Sequence, residues 1–233
     1  MAESFDFERA WLAKFSLSLD NVAGAEVRQV VLEGSEELTS ESSRQAVIAW
    51  SQVAMERLEA LVDAECSQRV MVGCACQYPR SGLQDVRQAF DETGDVGVAH
   101  QMLQERFDSF LRSSLGLPEN LAEEVLHRGW GLAGVRLGNR IIATKIPKSG
   151  YLEAYLQESD PQKRRQYYCH CPRIRDVLKT TETLSPTYCY CGAGYYKGIW
   201  EEILQEPVQV EVLASVLAGD EVCKIAVHLP LRQ

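Results

Sequence analysis

The sequence has no apolar run near the roughly 18 to 20 residues that a membrane-spanning helix requires. Its opening residues, Met1 to Arg9, are acidic where a secretory leader is basic and then apolar. Both absences predict a cytoplasmic protein with no membrane partner. Basic charge is scarce as well: Lys and Arg number 24 against 33 Asp and Glu, a formal charge of -9, and such a surface repels nucleic-acid phosphates. No internal repeat, low-complexity tract or obvious linker breaks the chain. The glycines from Gly129 to Gly134, around Trp130, would let a ligand approach the backbone, but they match neither the dinucleotide nor the P-loop spacing. What remains is an acidic chain of 233 residues, 45% hydrophobic, long enough to bury its own core without disulfide staples.

Cysteine is the exception to this plainness. Of the eight cysteines, six fall into three Cys-x-Cys pairs, Cys74/Cys76, Cys169/Cys171 and Cys189/Cys191, where random placement would give about a quarter of one pair. In a reducing compartment clustered thiols are more often metal ligands or redox and catalytic groups than bridges. On an extended strand residues i and i+2 share a face, so Cys169-His170-Cys171 and Cys189-Tyr190-Cys191 on neighbouring strands would gather four sulfurs. That is a soft tetrahedral site, suited to zinc and less well to an iron–sulfur cluster. Same-face neighbours stand roughly 6.5 to 7 Å apart, so the backbone must curl, and Pro172 and Gly192 permit a turn beside each pair. The leading expectation is a zinc-binding protein with Cys169, Cys171, Cys189 and Cys191 as ligands.

Two other readings stay open. Cys189 and Cys191 precede a helix expected from Gly194, whose N-terminus favours a thiolate, so they are the candidate nucleophiles or redox thiols. Burial as small hydrophobes is the third possibility. Cys74 and Cys76 lie in an irregular link after a long helix and are candidate members of the site. If they joined, a six-thiol set would imply two metals, a cluster or a regulated thiol group. Cys66 closes the long helix, and Cys223 alternates with Ile225, Val227 and Leu229 as core would. His170 reads as a surface histidine, and His100, His127 and His228 have no visible partner. Lys163, Arg164 and Arg165 read as a solvated helix face, with Arg173 and Arg175 either solvated or anion-binding.

Apolar spacing predicts a mainly helical region over 1–128 and an α+β region over 129–233, within one continuous domain or as two. The longest helix is expected from Ser40 to about Cys66, with others at Phe7 to Ser16, Gly82 to Glu92, Val96 to Leu115 and Glu119 to Arg128. A hairpin is expected with Gly138-Asn139 near its turn, then a helix start at Ser159-Asp160-Pro161 and a helix from Gly194 to Gln205. Strands at Val208 to Val216 and Val222 to Leu229 should be joined at Ala218-Gly219-Asp220. The fold class is α+β, a helical N-terminal region packed on an antiparallel sheet with flanking helices.

The stretch from Gly194 onward, with Gly-Tyr-Tyr-Lys-Gly-Ile-Trp-Glu-Glu-Ile-Leu and the Gly219-Asp220-Glu-Val-Cys223 turn, resembles the end of the 4-vinyl-reductase-type small-ligand domain. It also resembles the related family that includes L-2-amino-thiazoline-4-carboxylic acid hydrolase, and the chain as a whole looks like an uncharacterised bacterial family. The resemblance implies an antiparallel sheet and helices around a pocket for a small organic ligand, with Cys223 as a zinc ligand in some members. A further cysteine of those members is Ser215 here, so that site does not carry over intact. Three functions follow: a zinc protein with a small-molecule pocket, a hydrolase of a cyclic amidine or similar C–N bond using metal-bound water or a Cys189 or Cys191 thiolate, or a thiol redox or metal-sensing module. A homodimer is compatible with each.

Overall fold

The computed structural model describes residues 6–147 and 149–230. It divides into two compact units: residues up to Cys76 with His170–Gly194, and Gln77–Cys169 with the chain from Tyr195 onward. The chain is helical up to His127 and its strands follow, while each unit draws on both halves of the sequence.

The first unit is built on α1 (Phe7–Val22), α2 (Ala25–Val31), α3 (Arg44–Leu61) and α4 (Ala64–Gly73). Three of these start where a short polar side chain caps an orphan amide. Asp6 accepts from the Arg9 N–H at 3.0 Å, Ser43 from Ala46 at 3.1 Å and Asp63 from Cys66 at 2.7 Å, which satisfies one otherwise unpaired amide at each helix start. The third cap explains why the long helix expected from Ser40 to Cys66 is two. Val62 is extended, with φ -138° and ψ 163°, and Asp63 then opens α4, so local cap chemistry outweighs the apolar periodicity. Trp11, Phe15 and Leu19 of α1, Val47, Met55 and Leu58 of α3, and Val70 and Met71 of α4 are buried as the core. At Gly73 a Cβ would lie 2.1 Å from Ser18 Oγ, and Ser18 Oγ donates to the Val70 carbonyl at 2.7 Å. Small residues thus let α1 and α4 close on each other.

The second unit carries α5 (Gln84–Thr93), α6 (Val96–Ser109) with a π-helical turn at Phe110–Ser114, and α7 (Glu119–His127). After β1 (Val135–Leu137) and β2 (Arg140–Thr144) come α8 (Leu152–Gln157) and α9 (Pro161–Tyr168), the latter opened by Asp160 and Pro161 as expected. Then α10 (Tyr190–Leu204), whose first turn belongs to the first unit, leads to β3 (Gln209–Ala214) and β4 (Lys224–His228). The strands form an antiparallel sheet in the order β1-β2-β4-β3. The Gly138-Asn139 turn stands where expected, with Leu137 opposite Arg140 and Gly138 at φ 62°. At the other turn Ser215 N–H donates to Asp220 Oδ2 at 2.8 Å. β4 is central, so Ile225, Ala226 and Val227 are all buried. The fold is α+β. Among the described residues no helix is long and apolar enough to cross a membrane.

Candidate functional site

Arg173, which the sequence leaves between a solvated and an anion-binding role, is 1% exposed and lies in the first unit. Its guanidinium lies over the Trp11 ring, 3.7 Å from the centroid. Nε donates to Glu8 Oε2 at 2.6 Å and Nη1 donates to the Tyr188 hydroxyl at 2.7 Å. Nη2 is buried with no hydrogen-bond partner. Glu8, equally buried, also receives Arg44 Nη1 at 2.7 Å. One carboxylate therefore faces two guanidinium groups, one as buried as itself and the other, Arg44, about a third exposed. Burial opposes the Arg173 charge, and Tyr188 and Glu8 more than offset it, holding its pKa above the ordinary value. Tyr188 stacks on the other side of this array, 5.8 Å from Trp11 at 14°.

Two thiols meet beside this array. Cys74 caps the C-terminus of α4, is fully buried, and its Sγ donates to the Met71 carbonyl at 3.1 Å. Cys191, half-buried in the first turn of α10, sends its Sγ to the Cys74 carbonyl at 3.9 Å. Gly194 permits this approach: a Cβ there would sit 2.1 Å from the Val72 carbonyl oxygen and 2.7 Å from Ala75 Cβ. Burial, then Cys191, pushes the Cys74 thiol well up, while Arg173 and Lys14 pull it down. Lys14 Nζ donates nearby to the Ala75 carbonyl at 3.2 Å. Burial also raises the Tyr188 phenol well above its usual range, Arg173 opposes that, and Cys171, Cys191 and Cys74 add to the rise. Cys74 thus feels both the guanidinium and the phenol, with Cys191 and Cys171 within electrostatic reach of the phenol.

The remaining candidates are dispersed. Cys169 caps α9 in the second unit and is buried, Cys171 follows it in a loop, and Cys189 ends a 3-10 turn over Pro186–Cys189. Cys76 is exposed, and Cys66 Sγ donates to the Val22 carbonyl at 3.8 Å. Cys223 is half-buried ahead of β4, its thiol raised by burial, and its N–H donates to the Tyr168 hydroxyl at 2.9 Å. His170 is exposed. His100 does have a partner, the Gly134 carbonyl, 3.1 Å from Nε2. Of the basic run, Lys163 is exposed, but Arg164 covers the Tyr155 ring and Arg165 Nη2 donates to the Val216 carbonyl at 2.8 Å.

The zinc-binding function expected from Cys169, Cys171, Cys189 and Cys191 is corrected by this placement. Among the described residues no group of three or more His, Cys, Asp or Glu side chains is arranged to hold a metal ion. Gathering four sulfurs by i, i+2 spacing requires strands, and none of the three doublets lies on one. Cys189 and Cys191 stand on helical backbone, where residues two apart point about 200° from each other. Glu8, Trp11 and Tyr188 were not among the candidates. Their only sequence signal is polar or aromatic identity in otherwise apolar helical surroundings.

The buried neutral acids give the protein a pH dependence. Cys74, Tyr188 and Tyr168 are all held protonated by burial, whereas the unfolded chain ionises near the ordinary 9.0 for a thiol and 10.0 for a phenol. Above those values the folded state binds more protons than the unfolded one. Stability is therefore full below about pH 9 and is lost as pH rises through the folded values. Urea midpoints should hold from about pH 7 to 8.5 and fall between about pH 9 and 11; a midpoint that rises across the alkaline range would contradict these protonation states.

No curated protein and no solved structure matches the chain. Residues 153–231, which hold α9, the Cys171-Pro172-Arg173 segment and the first turn of α10, match the model of a family described as a "Family of unknown function (DUF6144)".

Proposed function

We propose that the first unit acts by thiol–disulfide exchange, with Cys191 as the attacking thiol and Cys74 as the resolving one. The single observation that carries this is the approach of Cys191 Sγ to Cys74, 3.9 Å from its carbonyl, made beside a buried guanidinium with an unused donor. Cys191 is the more accessible of the pair, in the first turn of α10. Cys74 is sealed from solvent and neutral, which suits a group that reacts second.

The chemistry balances with a disulfide oxidant. The Cys191 thiolate attacks one sulfur of the oxidant, the oxidant's S–S bond breaks, and one sulfur leaves as a thiolate that takes up the proton Cys191 gave up. The resulting mixed disulfide is attacked by Cys74, whose proton passes to the second leaving sulfur. Two protein thiols become one disulfide and the oxidant becomes two thiols. Arg173 acts as a positioning residue: it fixes the Tyr188 hydroxyl and keeps positive charge beside the transient thiolates.

Oxidised glutathione is the probe. The native chain should lose two thiols together, without retaining glutathione. Cys74→Ser should stop at a glutathione adduct on Cys191, and Cys191→Ser should leave Cys74 reduced. Oxidation of Cys74 in the Cys191→Ser protein at the native rate would overturn the assignment of Cys191 as the attacking thiol.

A further inference from the structure

The glycine-bearing segment around Trp130 belongs to a second feature, independent of the thiols and wholly within the second unit. Gly129 and Trp130 form part of the wall of an open cavity of about 460 Å³ between the β1–β2 side of the sheet and α8 and α9. That volume is in the range of small-molecule sites, roughly 300 to 1,000 Å³. Trp130 is tied to the end of β2, with the Gly131 N–H donating to the Thr144 carbonyl at 2.9 Å. Gly129, at φ 65°, turns the chain there, and a Cβ would meet Val135 Cγ2 at 2.3 Å.

The wall combines cations with aromatic faces. Arg128 lies over Trp130, 5.2 Å from the ring centroid, and Arg164 lies over Tyr155 at 4.8 Å. Trp130 and Tyr155 are themselves in contact, with centroids 5.7 Å apart. Arg164 Nη2 donates to the Tyr155 hydroxyl at a long 3.4 Å, and its Nε is buried with no hydrogen-bond partner. No carboxylate pairs with Arg164 or Lys224 among the described residues. Arg128 is engaged by Glu124. Glu221 is the one carboxylate on the wall, against Arg128, Arg164 and Lys224. Val135, Leu137, Ile142 and Val222 supply apolar side chains. In a chain of formal charge -9, a concave surface with an unpaired guanidinium and ammonium group next to two tilted aromatic rings runs against the bulk charge.

We infer that this cavity binds a small organic anion with an apolar body, its carboxylate or phosphate on Arg164 and Lys224 and its hydrocarbon or ring against Trp130 and the β1–β2 apolar residues. Arg164 supplies a planar fork of donors with no carboxylate partner among the described residues, so an anion on it gains a charge-assisted pair without displacing one. Inorganic phosphate satisfies the cations but leaves the apolar wall wet, and a neutral ring does the reverse.

Calorimetric titration of the full chain with benzoate, phenyl phosphate, inorganic phosphate and benzamide tests this. Saturable binding of benzoate or phenyl phosphate is expected, with inorganic phosphate and benzamide weaker by roughly tenfold or more. The tighter of the two aromatic anions identifies the head group. Arg164→Met should weaken binding by roughly tenfold. Lys224→Met, an exposed position that leaves the fold intact, should weaken it several-fold and flatten its salt dependence, and Lys163→Met, exposed on the same helix as Arg164, should change nothing. Absence of binding by both aromatic anions, inorganic phosphate binding as well as phenyl phosphate, or equal affinity in Lys224→Met would overturn the inference.

Discussion

Arg173→Met should destabilise the protein by about 3 to 5 kcal/mol, because it leaves the Glu8 carboxylate buried opposite a methyl-sulfur chain. Arg173 and Glu8 are each 1% exposed, so water cannot replace the lost partner. Arg44 still reaches Glu8 at 2.7 Å, which places the cost nearer the low end of that range. Removing the carboxylate as well should recover part of the loss. In the Glu8→Gln, Arg173→Met double variant both charges are gone, and a coupling energy of about 1 to 3 kcal/mol is expected from the four-way cycle. Urea midpoints of the four proteins supply the measurement. A single variant that unfolds within about 0.5 kcal/mol of native would mean that the ion pair is not desolvated as described.

Gly194→Ala carries the second large effect and tests how the thiols are brought together. In a helix interior alanine is ordinarily favoured over glycine by about 1 kcal/mol. At Gly194 the new Cβ would lie 2.1 Å from the Val72 carbonyl oxygen, a backbone atom that has no rotamer to escape into. The first turn of α10 must then lift off the end of α4. A net destabilisation of about 1 to 3 kcal/mol is expected, together with slower exchange, since Cys191 moves away from Cys74. Gly198 is the control in the same helix: its Cβ would meet nothing within 4 Å, so Gly198→Ala should stabilise by up to about 1 kcal/mol and leave thiol reactivity alone. Equal responses at the two glycines would show that the close approach at Gly194 does not constrain the helix.

The same glycine shows where the sequence could be read and where it could not. Gly192 and Gly194 beside Cys191 suggested a turn, and the helix was expected from Gly194; it starts at Tyr190 because glycine serves close packing there rather than chain reversal. Caps and hairpin turns are local chemistry, so Pro161 after Asp160, the Gly138-Asn139 turn and the two final strands stood near their expected positions. Asp63 was an equally local cap, but the apolar rhythm on both sides of it hid the break between α3 and α4.

The thiol doublets stand out in the sequence through their frequency, yet the spacing does not show which thiols lie together. An i, i+2 repeat gathers side chains only on a strand, and these doublets sit at helix ends and in loops. The pairing that emerges, Cys74 with Cys191, crosses doublets and joins residues 117 positions apart. Glu8 and Arg173 are separated by 165 positions, and no spacing rule connects two lone charges over such a distance. Their burial is decided by tertiary packing around Trp11, which becomes visible only once α1 and the 3-10 turn ahead of α10 are placed.

Peptide mapping by mass spectrometry after graded treatment of the native chain with oxidised glutathione, under non-reducing conditions, tests the thiol assignment most directly. The first intramolecular cross-link to appear should join Cys74 to Cys191. A first cross-link within Cys189/Cys191 or between Cys171 and Cys191, or glutathione adducts with no intramolecular disulfide, would contradict it.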